Sequence, residues 1–296
     1  MLHMEFEKRN IVTEGPDAAG LFDSHAHYFD PRFEGQAEEL LTHGIFGSGV
    51  SGVINVGTNP ENARQCIAQA AKYPRMWCAV GIHPEDCQND VGNMTEALAA
   101  IRDLLDTAEK RRANKIVALG EIGLDYHWQP CDKERQMRFF ETQLAMAEEL
   151  SLPVIIHDRE AHGDCFETVL RYPRVRGVFH SYSGSAEMAR ELVRRGWYIS
   201  FSGVLTFRNA KKVREVAQVV PLDRLLVETD CPYLAPEPFR GRLNHSRLMA
   251  YTVAALAELR GLPAEEMIRL TRENAETLFQ MEPEQHPMDE SKINKQ

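Results

Sequence analysis

Eight short apolar runs rich in β-branched residues recur along this chain, with segments of helical spacing between them, and few folds accommodate that order. The runs are LFDSHAH from Leu21, SGVINVGT from Ser51, MWCAVGIHP from Met76 and IVALGEIGLDY from Ile116. They continue as PVIIHD from Pro153, RGVFHSY from Arg176, YISFSG from Tyr198 and LLVETD from Leu225. DKERQMRFFETQLAMAEEL (Asp132 to Leu150) and AEMARELVRRG (Ala186 to Gly196) space their apolar residues as helices do. Near-continuous apolar strands alternating with helices indicate a parallel sheet covered on both faces. Eight such units predict an α/β chain folded as a closed (β/α)8 TIM barrel. An open doubly wound sheet would usually show a Gly-rich phosphate turn after its first strand, and none is present.

The 296 residues suit one barrel domain over 20–280, with a loose extension over 1–19 and a polar tail over 281–296. The last helical stretches, from Ser246 to Phe279, should pack outside the barrel, and NAETLF (Asn274 to Phe279) should close it. No apolar stretch approaches the roughly 20 residues of a membrane span. The start, MLHMEFEKRN, is charged where a signal peptide is apolar. A cytoplasmic protein without a membrane partner is expected. The six cysteines are scattered, which suggests reduced, buried thiols. A net charge of −10 argues against coating long nucleic acid through phosphate neutralisation, but not against holding a strand end in a local pocket.

Barrel enzymes build their sites at the carboxyl ends of the strands. The first strand ends in His25 and His27, which share one face about 7 Å apart if the chain is extended. His83 stands at the end of the third strand, Glu121 and Asp125 in the fourth, and His157 at the end of the fifth. His180 follows the sixth, and Glu228 and Asp230 follow the eighth. Any one of these histidines would suit a packed interior, but their shared rim points to a metal centre. His25, His27, His157 and His180 with Glu121 and Asp230 exceed the roughly three protein ligands that one ion with an open position requires. Two divalent ions are implied, with Glu121 placed to bridge them. Ions roughly 3.5 to 4 Å apart suit in-line hydrolysis of a phosphate ester. Asp230 can take a proton from the attacking water or serve as a ligand only. No Gly-x-Ser-x-Gly elbow is present, HDREAH lacks the zincin order, and Cys231 reads as a packing residue.

The ordered set DSHAH, GIHP, GEIGLDY, HDREAH, FHSYSGS, SFSG-x5-N, ETDCPYLAP and RGR-x-N, from Leu21 to Phe279, closely resembles the TatD family of metal-dependent deoxyribonucleases in the amidohydrolase superfamily. The resemblance implies one ion held by His25, His27, Glu121 and Asp230, and another by Glu121, His157 and His180. It also implies removal of nucleotides from DNA ends, often from the 3′ side, with magnesium, manganese or zinc. DNA ends, preferably single-stranded, are then the expected partner, with no obligate protein partner evident. Arg159, Arg208, Arg240 and Arg242 follow the fifth, seventh and eighth strands, where guanidinium forks can grip phosphates. His83 reads as a phosphate-side hydrogen-bond donor, and Glu228 as a group that orients its neighbours. One departure stands out: family members commonly read Asn-Glu-Pro where this chain has Asn244, His245 and Ser246.

The same centre can also serve acyl transfer, as a deacylase of aminoacyl-tRNA or of a small ester or amide. A barrel kept only for metal binding or scaffolding would be expected to have lost a ligand, and all six are present.

Overall fold

Each of the eight apolar runs forms a strand, and the strands pair in sequence order, all parallel: β1 (Phe22–Ala26), β2 (Gly52–Val56), β3 (Met76–Val80), β4 (Ile116–Asp125), β5 (Val154–Arg159), β6 (Gly177–Phe179), β7 (Tyr198–Phe201) and β8 (Leu225–Val227). A computed structural model describes residues 15–89 and 91–281, so most of the expected N-terminal extension and nearly all of the C-terminal tail lie outside the described residues. The ring closes between β1 and the segment just past β8. Asp230 N–H donates to His25 O at 2.9 Å, and His27 N–H donates to Cys231 O at 2.8 Å. Buried Asp23 clasps the same seam, accepting Thr229 N–H at 3.0 Å and the Thr229 hydroxyl at 2.6 Å. Burial pushes its carboxyl up to about 7 against the hydrogen bonds from Thr229.

Helices cover the outside of the ring. Between β2 and β3 lies α1 (Pro60–Lys72), whose start is set by Asn59 in a reciprocal cap with Asn62 and by Pro60 in its first turn. Between β3 and β4 come α2 (Pro84–Asn89), α3 (Met94–Leu105) and α4 (Ala108–Ala113). The long α5 (Lys133–Leu150) follows β4, capped by Asp132. Then α6 (His162–Leu170), α7 (Ala186–Arg194) and α8 (Lys211–Val219) alternate with the remaining strands, and α9 (Met249–Arg260) and α10 (Ala264–Leu278) end the described chain. No helix among the described residues is long and apolar enough to cross a membrane.

Two apolar clusters result, one between strands and helices and one inside the ring. The inner cluster takes Phe22, Ile54, Val56, Ala79, Ala118, Ile155, Val178, Tyr198 and Leu226 from the strands. It is sealed below by Ala275, Leu278 and Phe279 of the NAETLF stretch, so the last helix is also the floor of the barrel. The opposite mouth is left to polar residues.

Two buried glutamines of α5 reach that mouth and hold its loops. Gln143 accepts Ile82 N–H at 2.8 Å and donates to Ile82 O at 3.1 Å, which fixes the turn that carries His83. Gln136 does the same for Asp125, at 2.8 and 2.7 Å. Beside it, β4 approaches β5 so closely that a Cβ on Gly123 would stand 2.0 Å from His157 O, and its φ of 142° is a glycine conformation.

Candidate metal centre

The barrel mouth brings together all six residues expected as ligands. Glu121, at 3% exposure, stands at the centre with its two carboxylate oxygens facing different histidines. Its Oε1 lies 2.7 Å from both His157 Nδ1 and His180 Nε2. Its Oε2 lies 3.3 Å from His25 Nε2 and 3.6 Å from His27 Nε2. Asp230 Oδ1 completes the second side, 3.3 Å from His27 Nε2 and 3.6 Å from His25 Nε2. Burial alone would raise the Glu121 carboxyl, but the surrounding imidazoles hold it well below the usual carboxylate range.

The orientation of each ring follows from its other nitrogen. Val56 O, which can only accept, takes the Nδ1 proton of His27 at 2.7 Å and turns the Nε2 lone pair toward Glu121 and Asp230. Glu228, fully buried, accepts Ser181 N–H at 2.7 Å and faces His180 Nδ1 at 3.2 Å, leaving His180 Nε2 to the centre. Asp125 Oδ2 faces His157 Nε2 at 3.0 Å and leaves Nδ1 to Glu121. Acceptors behind imidazoles are the usual outer support of metal-binding histidines. His25 has no such support: its Nδ1 is buried without a hydrogen-bond partner among the described residues. Its ring stacks on that of His180 with centroids 4.0 Å apart.

His83 is held the opposite way. Glu85 N–H donates to its Nδ1 at 3.1 Å, so in the neutral ring the proton sits on Nε2, 3.6 Å from Glu121 Oε1. Burial and neighbouring His157 push its pKa down to about 3, so the ring is neutral near pH 7 and presents an N–H donor.

Donor atoms suitable for a cation form three overlapping groups: His25, His27 and Glu121; His25, His180 and Asp230; His83, Glu121 and His157. Glu121 and His25 each belong to two of them, so the donors form one continuous centre. Imidazole nitrogens with carboxylate oxygens suit zinc or manganese and admit magnesium where phosphate adds oxygens.

The four arginines are exposed in segments at or after strand ends. The Arg159 guanidinium stands 5.2 Å from the Trp128 ring centroid, and that of Arg240 4.4 Å from Phe207. The departure at His245 and Ser246 is internal: both residues are buried, as is Asn244 before them, and Ser246 Oγ meets Tyr28 Oη at 2.7 Å. Asn244 Nδ2 donates to Thr229 O at 2.9 Å and to Tyr233 O at 2.7 Å, which braces the turn carrying Asp230. Asp230 itself holds φ 56°, an uncommon value for a residue other than glycine and one that clusters at functional sites.

Sequence reasoning gave no role to Asp125, Asp23, Gln136 or Gln143. Asp125 was visible at a strand end, but nothing in the sequence says which histidine it faces. The two glutamines lie on an otherwise apolar helix face, and that was the available signal.

A family model described as TatD related DNase matches residues 22–280. The chain is 39% identical over 264 residues to an uncharacterized metal-dependent hydrolase, YabD, of Bacillus subtilis, covering 88% of this chain and 99% of that protein. Among solved structures it is similar to YjjV, a TatD homolog from Escherichia coli, at 33% identity and a TM-score of 0.81, covering 90% of this chain and all (100%) of that one. A TatD family hydrolase of Entamoeba histolytica shares the fold at 20% identity, with a TM-score of 0.73 over 89% of this chain and 99% of that one.

Proposed function

The chain belongs to the TatD-related DNase family and is a metal-dependent hydrolase, and from that premise we propose that it is a phosphodiesterase that removes nucleotides from the 3′ ends of single-stranded DNA. The carrying observation is Glu121, whose two oxygens face two different pairs of imidazoles. That arrangement supports two divalent ions, magnesium, manganese or zinc, held by His25, His27, Glu121 and Asp230 on one side and by Glu121, His157 and His180 on the other. Such ions, when bound, supply a nucleophilic water at neutral pH and charge neutralisation for a phosphate.

The protein's own groups have separable tasks. Glu121, almost wholly buried, is a fixed negative charge shared by both halves of the centre. The Asp230 side chain keeps 17% exposure, which makes it the better placed of the two carboxylates to receive the proton of an incoming water. His83 Nε2–H is a neutral donor toward a phosphate oxygen. Arg159, Arg208, Arg240 and Arg242, exposed at or after the ends of β5, β7 and β8, serve as cations for the following phosphates.

The test is to strip the protein of metal, restore each ion in turn, and offer single strands labelled at the 3′ or 5′ end, with aminoacyl-tRNA in parallel. Stepwise loss from the 3′ end that depends on metal is expected. Intact strands with every ion would overturn the proposal, and turnover of aminoacyl-tRNA alone would replace it with a deacylase.

A further inference from the structure

Among the described residues two large hydrophobic side chains are exposed, Trp128 at 47% and Tyr233 at 48%, and both stand at the barrel mouth. Trp128 lies in the loop after β4, whose last residue, Asp125, supports His157. Tyr233 lies in the turn after β8, and its N–H donates to Asp230 O at 2.9 Å. In a ring ordered β1 to β8, β4 and β8 are diametrically opposed, so the loops that carry the two aromatics stand on opposite sides of the metal centre.

Each ring is paired with an arginine. The Arg32 guanidinium lies 4.0 Å from the Tyr233 centroid, fixed by two 2.8 Å hydrogen bonds to Asp30. Arg159 stands over Trp128, and the His127 ring lies nearly perpendicular to the same indole with centroids 4.8 Å apart. A greasy protein partner would call for apolar neighbours around these rings, whereas theirs are guanidinium, imidazole and carboxylate groups. Flat rings in a cationic, polar setting fit flat π-faced groups strung on an anionic chain.

We propose that Trp128 and Tyr233 are nucleobase-stacking platforms on opposite sides of the cleavage centre, through which the protein takes unpaired strands and tolerates their sequence. This deepens the phosphodiesterase reading and rests on it. Paired bases do not offer their faces, so a duplex end would have to fray before both platforms engage.

The experiment compares binding of a nuclease-resistant phosphorothioate strand with that of an abasic strand of equal length to the metal-loaded protein. The parent should prefer the base-bearing strand by on the order of tenfold for each ring engaged. Trp128→Ala and Tyr233→Ala should each bring that ratio toward one, while Trp128→Phe and Tyr233→Phe, which keep a ring, should retain most of it. Base-bearing strands should also quench tryptophan emission in the parent and much less in Trp128→Ala. The chain has three tryptophans, of which Trp197 is 2% exposed and Trp77, partly buried near the start of β3 and so away from the mouth, stacks on Phe22. Parental ratios in both alanine variants would overturn the proposal and mark the rings as a surface for another partner, while strand cleavage would still uphold the nuclease reading. A parent that neither binds nor cleaves any strand would sink both, and the silence of the parent itself tells that failure apart.

Discussion

Asp125 Oδ2 stands 3.0 Å from His157 Nε2, the ring nitrogen turned away from Glu121. Burial alone would lower the pKa of His157, but the hydrogen bonds and charges of Asp125 and Glu121 push it up to about 9. The geometry places Asp125 to fix the ring angle as a carboxylate behind the imidazole and to leave Nδ1 toward Glu121. Asp125→Asn keeps the shape and removes the charge. Metal affinity should fall by about 10- to 100-fold, the usual cost of losing such a support. Titration against a competing chelator measures it, and parental affinity would reduce Asp125 to a strand-end residue that accepts His127 N–H at 2.9 Å.

Metal removal should also be felt as stability. Four imidazoles and two carboxylates crowd the mouth, and an ion bound only by the folded chain shifts the folding equilibrium by mass action. At a hundredfold excess over its dissociation constant, one ion should add about 2.7 kcal/mol. The melting temperature of the stripped protein should rise with added manganese or zinc, and elemental analysis at saturation should give two ions per chain. A single ion at saturation would remove the bridging role assigned to Glu121.

How much of this could be read in advance differs between backbone and site. The eight strands were legible because a parallel barrel strand is buried on both faces and leaves a continuous apolar signature, as in GVINV or LLV. The donors were legible because histidine is scarce and strand ends are where a barrel collects side chains. What binds those donors in place was not legible. Val56 acts through its carbonyl, which no side chain advertises, and Gln136 and Gln143 act across a helix–loop contact that spacing does not report. The departure at His245 and Ser246 is visible in the sequence, but its burial is not: both residues lie inside, next to Asn244, which braces the turn that carries Asp230.

The floor of the barrel offers a control that leaves the mouth untouched. Phe279, 2% exposed, closes the interior cluster together with Leu278. Phe279→Ala should destabilise the protein by about 3–5 kcal/mol, the range for truncating a buried phenylalanine. Chemical denaturation measures the loss. Metal affinity of the folded fraction should be parental, since the change lies at the opposite end of the strands.

Arginine replacements address the grip on phosphates. Arg208 is exposed in the loop after β7, so Arg208→Ala should leave the fold intact. If it contacts a phosphate, binding of a short strand should weaken by up to about 1.5–3 kcal/mol, less where water screens the contact. The salt dependence of binding should flatten by about one phosphate contact. The same measurement on Arg159, Arg240 and Arg242 ranks the four. Parental strand affinity in all four alanine variants would make them surface charges.

Glu121 and Asp230 should fail differently. Glu121→Gln removes a charge that both halves of the centre share and weakens a donor to each, so metal occupancy and turnover should fall together. Asp230→Asn weakens one side only, where Oδ1 faces His25 and His27. It also removes the carboxylate that solvent reaches more readily, the one proposed above to accept the proton of the attacking water. Added metal should therefore refill the Asp230→Asn centre without restoring its rate. A residual deficit of about 10²- to 10⁴-fold at full occupancy is expected, the usual worth of general acid–base catalysis. The measurement is hydrolysis rate against metal concentration for both variants, with bound metal counted in the same samples. If Asp230→Asn regains the parental rate once its metal is restored, Asp230 is a ligand alone and the proton passes to another group.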